Sequence, residues 1–143
     1  MGNIAYDFQI GKDDFERAGE ASSKIKKILR QLGIESGIIR RVAIAAYEAE
    51  INLVIHSLGG TISISIDPKS VVIIAKDLGP GIENIELAMK EGYSTASDKI
   101  REMGFGAGMG LPNMKKCSDS FNIESVFGKG TIITMEMMLK DGD

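Results

Sequence analysis

The sequence predicts a two-layer α/β sandwich in which helices cover one face of a mixed, mostly antiparallel sheet. The hydrophobic pattern gives one strand, two helices, two strands, a glycine-rich stretch with a helix, and two final strands. Strands that follow one another directly form hairpins, which argues against a doubly wound parallel sheet. The length of 143 residues suits one compact domain, and neither a repeat nor a linker divides the chain. We therefore expect a single domain over residues 1–143.

The first strand and the first helix follow from two different periodicities. Apolar residues alternate with more polar ones over residues 4–10, as in a half-buried strand. Over residues 15–32 they recur at spacings of three and four, as on one face of a helix. Asp13 or Asp14 is expected to cap this helix, and Gly33 is expected to end it.

A second, more apolar helix is predicted over residues 37–56, with Ser36 as its cap. Residues 42–46 are all apolar or small, so we expect this helix to lie deep in the domain. The other predicted elements are strands at 61–66 and 71–75, a helix near 84–90, a long loop at 91–107, a glycine-led helix at 108–117, and strands at 121–126 and 131–139.

The composition excludes several classes of function. With 43% hydrophobic and 26% charged residues, the chain is an ordinary globular protein rather than a disordered one. Its formal net charge of −3 gives no electrostatic reason to expect nucleic acid as a ligand. One cysteine excludes an internal disulfide, and there is no leader or long apolar run, so we expect a cytoplasmic protein without membrane contact. Only the glycine content is unusual. The chain has 17 glycines in 143 residues, which is more than the usual share of about 7%.

Two polar residues stand out on the second predicted helix. Glu48 and Asn52 are four residues apart, so they project from the same face of the helix. A carboxylate and a carboxamide on an otherwise apolar helix are costly to bury without partners. The pair therefore marks either a functional site or, as the simpler alternative, a helix edge exposed to solvent.

A carboxylate followed by glycines comes next. Asp77 ends the predicted buried strand, and Gly79 and Gly81 follow it. The carboxylate can accept a hydrogen bond from an amino group while bare backbone approaches a flat ligand. A plain strand-to-loop turn is the alternative.

Glycines then occupy every second position from Gly104 to Gly110 and lead into a predicted helix. Their bare N–H groups can seat phosphate oxygens. A flexible surface loop is the alternative for this run. The chain contains neither the Walker motif nor the dinucleotide-binding fingerprint.

The order of these motifs is more specific than any one of them. Glu48-x-x-x-Asn52, Asp77-x-Gly79-x-Gly81, the glycine run and Gly128-x-Gly130-Thr131 together resemble the ATPase superfamily of gyrase, Hsp90, histidine kinases and MutL. Two further tracts are similar to the small bacterial serine kinases that act as anti-sigma factors and stress-switch kinases. They are Gly92-Tyr93-Ser94-Thr95 and Gly108-Met109-Gly110-Leu111-Pro112. The resemblance spans most of the chain and implies the Bergerat-type ATP-binding fold.

The resemblance implies a role for each matching residue. Glu48 would be the general base that takes the proton of an attacking hydroxyl, and Asn52 would ligate Mg²⁺. Asp77 would bind the adenine amino group, with Thr131 in support. The implied ATP-binding positions are Asn52, Asp77, Gly79, Gly81, Ile82, Gly104, Gly106, Gly108, Met109, Gly110, Leu111 and Thr131. The implied cofactors are ATP and Mg²⁺.

The leading hypothesis is a Mg-ATP-dependent serine/threonine protein kinase of the anti-sigma or switch-kinase type. Its expected partner is an anti-anti-sigma protein with a STAS-like domain, or a sigma-like regulator, and a homodimer stays open. Anti-sigma kinases carry a basic residue just before the last glycine pair, where this chain has Gly106-Ala107, and Arg101 is the candidate substitute. The alternative is therefore an ATP-gated module that sequesters a regulator without phosphorylating it. An ATPase coupled to a transducer domain is a third and weaker hypothesis.

His56 and Cys117 are the remaining candidates for chemistry. His56 is the single histidine, and the chain lacks the dimerisation helices of a self-phosphorylating histidine kinase, so we expect a structural histidine. Cys117 has no histidine near it in sequence to act as a base and is expected to be a small core residue.

Overall fold

Three helices and five strands make up the described part of the chain. The computed structural model describes residues 3–11, 16–56, 59–77, 79, 89, 110–126 and 129–139. In chain order the elements are β1 (Ile4–Ile10), α1 (Glu20–Gln31), α2 (Ser36–His56), β2 (Gly60–Ile66), β3 (Ser70–Asp77), α3 (Gly110–Cys117), β4 (Ser120–Val126) and β5 (Gly130–Met138). The predicted loop at 91–107 and nearly all of the predicted helix near 84–90 fall outside the described residues.

The strands form one sheet in the order β1-β2-β3-β5-β4. Each neighbouring pair is antiparallel, so the expected mixed, mostly antiparallel sheet is antiparallel throughout the described strands. The last strand, β5, lies inside the sheet between β3 and β4. The predicted α/β sandwich is thereby confirmed.

The core lies between the helices and one face of the sheet. On β2 the three isoleucines are fully buried, whereas Thr61, Ser63 and Ser65 point to the opposite face. The other residues of this core are Ile25, Leu29, Ile38, Ile39, Val42, Ala45, Ala46, Ala49, Leu53, Val71, Ile73, Ala75, Leu111, Met114, Ile133, Met135 and Met137. Helix α2 contributes many of them, as the run of small apolar residues predicts. Within the described ranges, no helix combines the length and hydropathy of a membrane span.

Helix α1 begins later than predicted. We expected a cap at Asp13 or Asp14, but the helix starts at Glu20, after Gly19 with a φ of 96°. Residues 12–15 lie outside the described part of the chain. Because Gly19 has a left-handed conformation, a right-handed helix cannot continue through this residue. The other end of the helix agrees with the prediction, because Gly33 follows it with a φ of 74°.

A carboxylate from α2 closes the amino end of α1. The backbone N–H of Ala21 donates to Glu50 Oε2, and that of Ser22 donates to Glu50 Oε1, each at 3.1 Å. The Glu50 side chain is only 2% exposed. A buried carboxylate is costly unless it is hydrogen-bonded, and the first turn of a helix offers free N–H groups and a favourable dipole. Glu50 therefore replaces the local cap and fastens α1 to α2.

We predict that Glu50→Ala lowers the free energy of unfolding by about 2–4 kcal/mol, because two buried N–H groups lose their acceptor. Glu50→Gln keeps one acceptor oxygen and is expected to lose about half as much. Urea unfolding followed by circular dichroism measures both changes. Glu20→Ala is the control, since Glu20 only forms an exposed pair with Lys24 at 3.3 Å. Equal losses for Glu50→Ala and Glu20→Ala would contradict the capping role.

Candidate functional site

The first cluster of candidate residues lies where α2 meets the start of α3. Glu48 and Asn52 are both half-buried on α2, one turn apart. A Cβ placed on Gly110 would lie 3.6 Å from Glu48 Oε1 and 3.8 Å from Asn52 Oδ1. The carboxylate and the amide oxygen therefore converge on the backbone at which the glycine run ends. The expectation that the two side chains share one face of the helix is confirmed.

Asn113 joins this cluster and was not predicted. Its Nδ2 donates to Glu48 Oε2 at 3.0 Å, across 65 residues of sequence. Asn113 lies three residues after Gly110, so both occupy the same side of α3. One carboxylate oxygen of Glu48 is thus hydrogen-bonded to α3, while the other faces Gly110. Asparagine is a poor helix former, and its place inside the predicted helix was the only sequence signal.

Both ends of α3 are fixed to α2. At its carboxyl end, Arg41 Nε donates to the carbonyl oxygen of Cys117 at 3.0 Å, and Arg41 Nη2 lies 3.0 Å from Asp119 Oδ1. The backbone N–H of Met138 donates to Asp119 Oδ2 at 2.7 Å, and this bond is the main reason that the pKa of Asp119 is lowered. Arg41 thereby ties α2 to α3 and to β5. No pattern in the sequence indicates this role of Arg41.

The second cluster surrounds Asp77 at the end of β3. Asp77 Oδ1 accepts the backbone N–H of Gly79 at 3.0 Å and that of Thr131 at 2.8 Å. Thr131 is 4% exposed, and its hydroxyl lies 2.8 Å from the hydroxyl of Ser125. Both backbone N–H groups thus donate to the same carboxylate oxygen, Oδ1.

Two glycines allow the sheet to close around Asp77. Gly60 is its partner in the register of β2, and a Cβ there would meet the Lys76 carbonyl oxygen and, at 2.8 Å, Asp77 Cα. Gly130 of β5 has a φ of 145°, and a Cβ there would lie 2.8 Å from the Asp77 carbonyl oxygen. Neither contact distance is one that a side chain tolerates. Part of the glycine excess therefore serves close packing at Asp77.

The topology places the two clusters at the same end of the domain. Helix α2 ends at His56, and β2 begins at Gly60, which pairs with Asp77. Asn52 lies only one turn before the end of α2. The strand end that carries Asp77 and the helix end that carries Asn52 are therefore neighbours.

Several predicted site residues fall outside the described part of the chain. They are Gly81, Ile82, Gly104, Gly106, Gly108 and Met109. Leu111 is described, and its side chain is buried in the core between α3 and the sheet. The side chain of His56 is not described. Of the predicted set, the structure therefore places Glu48, Asn52 and Gly110 together, and Asp77, Gly79 and Thr131 together.

The oxygen ligands near Gly110 suit a hard cation such as Mg²⁺. Among the described residues, no three His, Cys, Asp or Glu side chains are grouped so as to hold a metal ion. Mg²⁺ commonly takes one or two protein oxygens and completes its shell with water and phosphate oxygens. Asn52 Oδ1, with Glu48 Oε1 nearby, fits a site of that type. It does not fit a metal held by protein alone.

The nearby Tyr47 and Cys117 are poor candidates for ionised catalytic groups. Burial, followed by the charges of Glu48 and Glu50, raises the pKa of Tyr47. Burial also raises the pKa of the Cys117 thiol. The ring of Tyr47 packs beside Gly19, where a Cβ would lie 3.4 Å from Cε1. Both side chains therefore remain protonated near neutral pH, so neither of them supplies an ionised base or nucleophile.

One family model and two relatives match most of this chain. The family model described as the histidine kinase-like ATPase domain matches residues 12–137. The serine/threonine-protein kinase RsbT of Bacillus subtilis is 33% identical over 112 residues, which cover 76% of this chain and 78% of that protein. The anti-sigma F factor of Clostridium acetobutylicum is 38% identical over 100 residues, which cover 66% of each chain.

A solved structure shows the same fold at lower identity. The mycobacterial sensor histidine kinase MprB superposes with a TM-score of 0.52 and is 18% identical, with 95% of this chain and 98% of that chain covered. At this identity the likeness concerns the fold alone.

We predict that Asp77→Ala lowers the free energy of unfolding by about 1–3 kcal/mol, since two backbone N–H groups lose their acceptor. Asp77→Asn retains Oδ1 and is expected to stay within about 1 kcal/mol of the parent. Urea unfolding measures the difference between the two variants. Asp7→Ala, on the exposed edge strand β1, is the matched control and should change stability by less than about 0.5 kcal/mol. A loss with Asp77→Asn as large as with Asp77→Ala would exclude this role of Oδ1.

Proposed function

Because the chain belongs to the histidine kinase-like ATPase domain family, we propose that it is a Mg-ATP-dependent serine/threonine protein kinase of the anti-sigma or switch-kinase type. We propose further that residues 1–143 form one such domain. The observation that supports this most is the arrangement of Glu48. One of its oxygens is held by Asn113, and the other faces Gly110 beside the amide oxygen of Asn52.

In the proposed reaction, the hydroxyl oxygen of a serine or threonine on the partner bonds to the terminal phosphorus of ATP. The bond between that phosphorus and the bridging oxygen breaks, and ADP leaves. Glu48 Oε1 acts as the general base and takes the proton that the hydroxyl releases. For this step the hydroxyl has to lie within hydrogen-bond distance of Oε1. Mg²⁺, when bound, neutralises charge on the phosphates.

Asp77 is proposed to recognise the adenine base. Its Oδ1 is already occupied by two backbone N–H groups, so the carboxylate cannot turn freely. Oδ2 is then fixed as an acceptor for the exocyclic amino group. Thr131, Gly79, Gly81 and Ile82 would lie around the base.

The phosphates are proposed to lie along the glycine run. Gly104, Gly106, Gly108, Met109 and Gly110, followed by Leu111, would contact them through backbone N–H groups. Gly110 is the member of this run that the structure describes, and it adjoins both Glu48 and Asn52. This proximity supports a placement in which the terminal phosphate of ATP lies beside Glu48 and Asn52.

The proposed partner is an anti-anti-sigma protein with a STAS-like domain, or a sigma-like regulator. The names of the two relatives, a serine/threonine-protein kinase and an anti-sigma factor, support a regulator as the binding partner. A homodimer and a cytoplasmic location also belong to the proposal.

A second candidate function is an ATP-gated module that sequesters its partner without phosphorylating it. The observation that favours it is the pair Gly106-Ala107. It stands where a basic residue of the glycine run would stabilise the transferring phosphoryl group. Nucleotide-dependent binding without phosphate transfer would support this function over the kinase.

We predict that the parent protein binds Mg-ATP and that Asp77→Asn binds it at least about 100-fold more weakly, because an amide N–H replaces the Oδ2 acceptor and faces the adenine amino group. Isothermal titration calorimetry measures both affinities. Asn122→Asp, on the exposed edge strand β4, is the control and should bind as the parent does. No binding by the parent would exclude every nucleotide-dependent function.

We predict that Glu48→Gln lowers the rate of phosphate transfer at least about 100-fold, since the amide cannot take the proton. The acceptors to test are the STAS-domain proteins encoded in the same genome, with transfer detected by mass spectrometry. Mg-ATP affinity should change by no more than about threefold. Glu124→Gln, on the exposed face of β4, is the matched control. A Glu48→Gln variant as fast as the parent would rule out Glu48 as the base.

A further inference from the structure

Asn113 is a polar side chain of α3 that contacts Glu48 of α2. Its Nδ2 donates to Glu48 Oε2 at 3.0 Å in a half-buried place. A hydrogen bond from an amide N–H to a charged carboxylate is among the stronger kinds in proteins. The bond distinguishes the two oxygens of Glu48. Oε2 is engaged, and Oε1 faces the space beside Gly110 and Asn52.

The position of Asn113 is set by α3 and not by Glu48. The helix buries Leu111, Pro112 and Met114. Arg41 holds its last carbonyl group, and the hydroxyl of Ser118 donates to the carbonyl oxygen of Met114 at 2.7 Å. With its backbone fixed in this way, Asn113 can restrain the longer and more flexible Glu48 side chain.

We propose that Asn113 is a positioning residue that holds Glu48 so that Oε1 points at the reacting hydroxyl. This inference rests on the proposed function, because it assigns Glu48 the role of base. Asn113 takes no proton itself and acts through Glu48. Since Asn113 lies one turn after Gly110, it also links the orientation of the base to the end of the glycine run.

Removing the donor should therefore slow the reaction without weakening nucleotide binding. Asn113→Leu has nearly the same shape and lacks the N–H group. We expect its kcat to fall about 10- to 100-fold, because a small misplacement of a catalytic group has an effect of this size. The Kd for Mg-ATP, measured by calorimetry, should stay within about twofold of the parent value. Asn113→Gln keeps the amide and should recover part of the rate. Asn122→Leu, on β4, is the matched control.

A double-mutant cycle separates positioning from a merely structural effect. In the Glu48→Gln background, Asn113→Leu should cause no further loss, because the residue through which it acts has already been changed. An equal further loss in that background would overturn the proposal. So would a kcat for Asn113→Leu within about twofold of the parent, or a loss of Mg-ATP affinity as large as the loss of kcat.

A second readout does not depend on phosphate transfer. The ¹³Cδ resonance of Glu48, assigned from its absence in Glu48→Gln, should shift in Asn113→Leu and not in Asn122→Leu. An unchanged resonance would overturn the positioning role even if the protein is a kinase. If the parent transfers no phosphate to any STAS-domain protein, the kinase proposal fails, and the resonance alone decides whether Asn113 holds Glu48. Urea midpoints of all the variants show whether each remains folded.

Discussion

The buried carboxylate of Glu50 is the interaction on which the candidate site depends. It fills the amino end of α1 from the side of α2, and both of its oxygens are used. Successive residues of a helix are rotated by about 100°, so Glu48 and Glu50 point to nearly opposite sides of α2. Fixing Glu50 against α1 therefore fixes the rotation of α2 about its axis. Glu48 is then turned toward α3.

Helix α2 contacts three different parts of the domain. One side of α2 enters the core through its small residues Ala45, Ala46 and Ala49. A second holds α1 through Glu50, and a third holds α3 through Arg41 and Glu48. Small side chains allow the helix to lie close to the sheet, and the carboxylates are accommodated because each has a hydrogen-bond donor in reach. The polar contacts thus determine the orientation of α2, and the apolar ones determine its depth.

Local patterns in the sequence predict most of the helices and strands and the placement of Glu48 beside Asn52. Alternation predicted β1 and β2, a continuous apolar run predicted β3, and a run of small apolar residues predicted a deeply placed α2. A spacing of four placed Glu48 and Asn52 on one face of that helix. What failed was the start of α1, because its cap is Glu50, 29 residues away, and no local pattern reports such a contact. Asn113 and Arg41 were missed for the same reason. Their partners lie 65 and 76 residues away.

Part of the glycine excess has a physical cause that the sequence pattern does not indicate. Phosphate binding by the run from Gly104 to Gly110 is predicted from its spacing and stays a prediction. Gly60 and Gly130 serve another purpose, which is to let β2 and β5 approach the backbone at Asp77. This became visible only once the register of the strands was known.

The placement of β5 inside the sheet has a consequence for folding. Asp77 finds one of its two donors on Thr131, 54 residues later and on the last strand. Contacts of such long sequence separation are costly in chain entropy, because the long loop between the two residues must close. The chain can therefore build α1, α2 and the β2–β3 hairpin without forming the second cluster. The donor from Thr131, the contact of Gly130 with Asp77 and the middle of the sheet form together, when β5 inserts between β3 and β4.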